Sequence, residues 1–144
     1  MRVAELLTPG PIENVRIGQR PVPEPGPGQV LVRVKATSLN HRDLGVIARG
    51  FPGNDKPLIL LSDGAGEITA CGPGVTQFKI GDRVMATFNQ SWLAGEVADE
   101  FGPSVIRGGM IDGMLAAYLR CADGRSPASG PAGHETGARA RGTG

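Results

Sequence analysis

The sequence predicts a mainly β protein, folded as a closed or partly open antiparallel β-barrel with one or two short helices. Three observations carry this. Glycine and proline are frequent, at 23 and 12 of 144 residues, which suits short strands joined by tight turns. Gln29 to Leu39 alternates cleanly, with Val30, Val32, Val34 and Ala36 on one face and Leu31, Arg33, Lys35 and Thr37 on the other. Further short apolar stretches follow at turn-rich spacing, a pattern that small barrels share.

In chain order, Arg2 to Thr8 is a first strand, and Thr8-Pro-Gly-Pro11 turns it. Asn14 to Gln19 is a second strand. Arg20 to Gly28 carries alternating prolines, which remove ladder donors, so it is an extended connector. The long strand Gln29 to Leu39 comes next. At Asn40 the period changes, and Leu44, Ile47 and Ala48 fit a short helix with Asn40 or Asp43 at its start. Gly50 to Pro57 ends it.

Leu58 to Leu61 is a brief apolar run. Gly66 to Cys71 is a strand with Ile68 and Ala70 on one face, closed by the turn Cys71-Gly-Pro-Gly74. Val75, Phe78 and Ile80 are expected in the core. Gly81-Asp82 turns the chain into a strand from Arg83 to Phe88. Asn89 to Gly109 is an irregular loop with Trp92 as its large aromatic, and Gly113 to Cys121 is a final strand.

A formal net charge of +1 argues against nucleic acid or an anionic membrane surface as partner. No apolar run has the length of a membrane span, and the first residues show no signal-peptide pattern. Cys71 and Cys121 form no C-x-x-C pair, which fits a reduced, cytoplasmic setting. The domain is expected to run from residue 1 to 121. From Ala122 to Gly144 there is no Val, Ile, Leu, Met, Phe, Trp or Tyr. Such a segment cannot bury enough apolar surface to offset its ordering entropy, so disorder is expected. Gly, Ala, Arg and Pro dominate it, the residues that a GC-rich gene gives when read out of frame, so a frameshifted tail and a truncated chain are expected.

Four stretches then stand in a telling order: Pro23-Glu-Pro-Gly-Pro-Gly-Gln-Val-Leu-Val-Arg-Val-Lys35, Ser38-Leu-Asn-His-Arg-Asp43, Ser62-Asp-Gly-Ala-Gly-Glu67 and Gly72-Pro-Gly-Val-Thr-Gln-Phe-Lys-Ile-Gly-Asp-Arg-Val84. From Met1 to about Leu119 the chain resembles the N-terminal, GroES-like domain of the medium-chain dehydrogenase/reductase superfamily. The likeness is greatest to its zinc-independent, quinone-reductase-like branch. Zinc-dependent members of that family carry a Cys where this chain has Asn40 and Gly-His-Glu where it has Leu61-Ser-Asp63. An Asn and a Ser are poor zinc ligands. The resemblance therefore implies hydride transfer with NADP or NAD, no metal, and a small carbonyl, quinone or enone substrate. It also allows a homodimer in the intact family. The cofactor would be held mainly by a following Rossmann domain, which is absent here: Gly64-Ala-Gly66 is too short and precedes a strand. The isolated chain is expected to lack activity.

The resemblance places Asn40 near the nicotinamide and the substrate carbonyl, where its amide can donate to a developing oxyanion; a plain helix N-cap is the competing reading. Asp43 is a candidate to orient Asn40 or the cofactor amide, or a first-turn carboxylate facing the helix dipole. Asp63 is a candidate substrate or ribose contact, against a turn carboxylate. Phe88 and Trp92 are candidate walls of the substrate cleft. His41 reads as a packed or solvated side chain more than as a proton donor, Arg42 as a surface charge or salt-bridge partner more than as a phosphate ligand, Cys71 as a small strand residue and Cys121 as an accident of the tail boundary. Two other functions compete: a non-enzymatic GroES-like binding module, and an enoylreductase segment of a larger synthase.

Overall fold

The strand Gln29–Ser38 is the axis of the protein in the computed structural model, which describes residues 1–54, 56–89, 106–122 and 138–140. With it, the described residues form eight strands and one α-helix. They are β1 (Arg2–Leu6), β2 (Val15–Gln19), β3 (Gln29–Ser38), α1 (His41–Arg49), β4 (Leu58–Ile59), β5 (Asp63–Cys71), β6 (Arg83–Ala86), β7 (Tyr118–Ala122) and β8 (Ala138–Ala140). A 3₁₀ turn over Ile12–Asn14 leads into β2.

The strands form two antiparallel sheets that do not close into one barrel, matching the partly open form expected. One has the order β2-β1-β4 and the other β7-β3-β5-β6-β8. Backbone bonds tie the sheets together. Ala4 N–H donates to Leu115 O over 2.9 Å, and Ala117 N–H to Arg2 O over 2.9 Å.

The larger core lies on the five-stranded sheet, where Val30, Val32, Ile68, Val84, Met114, Leu119 and Cys121 are buried together. Full burial of a Val or Ile side chain contributes about 1.5–3 kcal/mol, so this cluster dominates the stability of the fold. A second cluster of Leu6, Val46, Leu58, Leu60 and Leu61 lies under α1. The expected core therefore holds for Val30, Val32 and Ile68. Val75 and Phe78 pack on its edge.

Several expectations need correction. Ala36 is exposed although it alternates with Val30, Val32 and Val34. The register of β3 against β5 shifts between Val34 and Ala36, and such an irregularity re-aims the following side chains. Ile80 is 67% exposed because it sits in the turn before β6 and not on a strand face. Helix α1 turns a different face inward from the one its apolar residues suggest. Asp43 and Val46 are buried, whereas Leu44 is 63% exposed and Ala48 is also exposed. Cys121 is no accident of a boundary: it is 1% exposed, on β7, in the core.

β5 begins at Asp63, three residues before the expected start, because Asp63, Gly64 and Ala65 pair with Ser38, Thr37 and Ala36. Gly66 permits this approach: a Cβ there would lie 2.3 Å from Arg33 O. In the segment expected to be disordered, Ala122 ends β7 and Ala138–Ala140 pairs with β6. Its other residues lie outside those described.

Candidate functional site

The end of β3 and the start of β5 are held side by side, since Ser38 is the register partner of Asp63. Two residues beyond Ser38, Asn40 caps α1 in an extended conformation, with φ −126° and ψ 152°. Pairing across the strands thus brings Asn40 to Asp63. The Asn40 Nδ2 donates to Asp63 Oδ2 over 2.6 Å, and Ser62 Oγ donates to the same oxygen over 2.9 Å. Of the two ends of the amide only the NH₂ can donate to a carboxylate oxygen, so this bond also fixes which way the Asn40 amide is turned.

The backbone before Asp63 is under strain. Leu61 has φ +70°, the only positive value of a non-glycine among the described residues. That conformation costs a leucine about 1–3 kcal/mol and needs support from its surroundings. The support is visible: Met114 N–H donates to Leu61 O over 2.8 Å, and Leu115 N–H to Leu60 O over 3.0 Å. Gly108 and Gly113 come so close that a Cβ on either would collide with the Leu60–Leu61 backbone. The strained turn aims Ser62 and Asp63 at Asn40.

Asp43 is 4% exposed and sits in the first turn of α1. Its Oδ2 accepts the Asn40 backbone N–H over 2.8 Å. It therefore fixes the backbone of Asn40 and not its amide. Its other oxygen has no hydrogen-bond partner, and Arg42 Nη1 lies 3.8 Å away.

Arg42 is the residue that the sequence undervalued. Its Nη1 donates to the carbonyls of Arg107 and Gly108, over 3.3 and 3.1 Å. Its guanidinium lies 5.8 Å from the Phe51 ring centre and 5.1 Å from that of Phe88, within cation–π range. Phe88 is thus an aromatic wall beside α1, and it remains 41% exposed. Trp92 lies outside the described residues. His41 is exposed at the first turn of α1. Arg107 also escaped notice: it is 0% exposed and donates to Asp112 O over 2.9 Å and to Cys121 Sγ over 3.9 Å. Burial pulls its guanidinium below the usual range, while Cys121 and Asp112 pull it back up. Nothing in the local pattern marks Arg42, because it acts on the backbone of a distant segment, nor Arg107, whose partners are a carbonyl in the following turn and the Cys121 thiol.

Cys71 stands at the far end of β5, away from this junction. Burial, and then Asp82, push its thiol up. Among the described residues no cluster of three or more His, Cys, Asp or Glu is arranged to hold a metal ion.

The profile of the alcohol dehydrogenase GroES-like domain matches residues 26–126. The chain belongs to that family. It is 44% identical over 95 residues to the pikromycin polyketide synthase component PikAII of Streptomyces venezuelae, covering 66% of this chain and 2% of that one. A solved structure from Sinorhizobium meliloti 1021, described as an alcohol dehydrogenase, superposes with a TM-score of 0.76 at 33% identity, over 85% of this chain and 37% of the other. A quinone oxidoreductase from Pseudomonas syringae pv. tomato superposes with a TM-score of 0.65 at 25% identity, over 85% and 31%. An NAD-dependent alcohol dehydrogenase gives 0.66 at 33%, over 85% and 38%. The chain thus spans about a third of these solved oxidoreductases, and 22–24% of curated dehydrogenases that it matches.

Proposed function

We propose that this chain is the substrate-side domain of a zinc-independent, nicotinamide-dependent oxidoreductase acting on a small carbonyl, quinone or enone. The observation that carries the proposal is the Asn40–Asp63 pair at the junction of β3, α1 and β5. One N–H of the Asn40 amide is held by Asp63, which leaves the other to donate to a substrate oxygen. As negative charge grows on that oxygen, a donor fixed in advance stabilises it without reorganising.

The donor set supports a metal-free reaction. Asn40 Nδ2 and Ser62 Oγ are both committed to Asp63, and neither amide nor hydroxyl is a good zinc ligand. The same residues fit a nicotinamide. Asn40 and Asp63 are both half-buried, and the pair keeps a free amide N–H and spare carboxylate lone pairs for a carboxamide or a ribose hydroxyl. When bound, the nicotinamide would supply or accept the hydride. Asp43 then holds the Asn40 backbone, and the Leu61 turn holds Asp63. NADP and NAD are not distinguished by these residues. Cys71 and Cys121 are thiols and not a disulfide, which supports a reduced, cytoplasmic setting.

The test joins this chain to the nicotinamide-binding part of a solved relative and measures quinone or enone reduction with NADPH and NADH. Turnover is expected from the joined protein and not from the 144-residue chain alone. Asn40→Ala is expected to lower kcat by about 10²-fold, the usual loss for one oxyanion donor. Turnover by the isolated chain, or an Asn40→Ala enzyme with unchanged kcat, would overturn the proposal.

The likeness to a polyketide synthase component supports a second reading, in which the domain is an enoylreductase segment of a larger synthase. It predicts reduction of an enoyl thioester in preference to a quinone by the same joined protein.

A further inference from the structure

A groove of about 510 Å³ runs along the outer side of α1. His41, Arg42 and Arg49 line it, and Leu44, Phe51 and Pro52 form apolar wall. Among the described residues that line it none is acidic. Asp43 is buried under the helix: one oxygen accepts the Asn40 backbone N–H, and the other lies 3.8 Å from Arg42 Nη1. Arg42 Nη2 is buried and has no hydrogen-bond acceptor. Arg42 Nη1 is committed to the Arg107 and Gly108 carbonyls, so Arg42 lends the groove its positive charge.

From these features we infer that the groove is a binding site for a small amphipathic anion: a carboxylate or phosphate monoester on an apolar body. The inference goes beyond the hydride-transfer reading and does not depend on it. The head group would take the planar fork of the exposed Arg49, which matches carboxylate and phosphate oxygens, with the charge of Arg42 beside it. The body would lie on Leu44, Phe51 and Pro52. Leu44 supports this: it is an apolar side chain 63% exposed at the groove, and a ligand there would cover it.

The test titrates the 144-residue chain with hexanoate, hexyl phosphate, 1-hexanol and inorganic phosphate, following backbone amides by NMR. Hexanoate or hexyl phosphate is expected to shift the amides of Leu44, Gly45, Gly50 and Phe51, with 1-hexanol at least tenfold weaker. The better of the two anions identifies the head group. Arg42→Met also loses the bonds to the Arg107 and Gly108 carbonyls, so the exposed Arg49 carries the mutational test. Arg49→Met is expected to weaken the better anion about tenfold and leave 1-hexanol unchanged. Hexanol binding as tightly as the anions would overturn the proposal, as would no shifts in the groove. Inorganic phosphate matching hexyl phosphate would overturn its apolar half, and unchanged anion affinity in Arg49→Met its charged half.

Discussion

Asn40 donates its side-chain N–H to Asp63 over 2.6 Å, so the cap of helix α1 is bonded to the first residue of the neighbouring strand. Secondary-structure capping and site geometry are thereby carried by one side chain. Asn40→Ala is expected to cost about 1–2 kcal/mol in urea unfolding, from the lost cap and the lost bond to a charged acceptor. Asp63→Ala should cost a similar amount. Because both variants remove the same bond, the double variant is expected to be about 1 kcal/mol less destabilised than the sum. Strict additivity would show that the pair is not coupled.

Gly66 and Gly74 separate two ways in which a glycine is required. At Gly66 a Cβ would meet Arg33 O at 2.3 Å, in the centre of the β3–β5 pairing. Gly66→Ala is therefore expected to cost more than about 3 kcal/mol, since backbone must move. At Gly74 nothing lies within 4 Å, but φ is +79°. Gly74→Ala should cost only about 1–2 kcal/mol, the left-handed penalty. Thermal unfolding of the two variants checks the order.

Arg107 is a wholly buried cation whose guanidinium donates to a backbone carbonyl and a thiol, and its Nε has no partner. Arg107→Met keeps most of the volume and removes the charge, so a change within about 1 kcal/mol is expected. Arg107→Ala leaves a cavity beneath the site and should cost about 2–5 kcal/mol. Chemical denaturation of both variants distinguishes a burden of charge from a requirement for it.

The two thiols should react unequally. Burial and Asp82 raise the Cys71 pKa, which lowers its thiolate fraction at any pH below it. Alkylation of Cys71 by iodoacetamide at pH 8 is expected to run several-fold slower than that of a free thiol, and to rise with pH. Cys121 is 1% exposed and should stay unmodified until the chain unfolds. Mass spectrometry of the native protein reads both. Equal labelling of Cys121 and Cys71 would contradict its burial.

The sequence makes the strands legible wherever one face alternates, as along Val30, Val32 and Val34. It stops being legible at Ala36, because an irregularity depends on the partner strand as much as on the strand that carries it. The start of α1 is readable from Asn40 and Asp43. Its buried face is not, since a polar Asp43 points in while an apolar Leu44 points out. Both Asn40 and Asp63 are visible as candidates, but their bond follows from the Ser38–Asp63 register, a long-range fact. Ser62 and Arg107 were missed for the same reason: each takes its meaning from segments distant in sequence or from strain in the adjoining backbone.

Arg42 grips the 107–108 segment by two carbonyl oxygens, a kind of atom that every amino acid carries. The grip is therefore indifferent to which side chain stands at position 107, whereas it depends wholly on the guanidinium at position 42. A replacement of similar volume such as Arg107→Met would therefore leave the segment fastened to the helix, whereas a smaller one would empty buried space. Position 42 is bound by the contact itself, whereas positions 107 and 108 are bound by packing: Arg107 fills buried space and Gly108 lies against the Leu61 backbone.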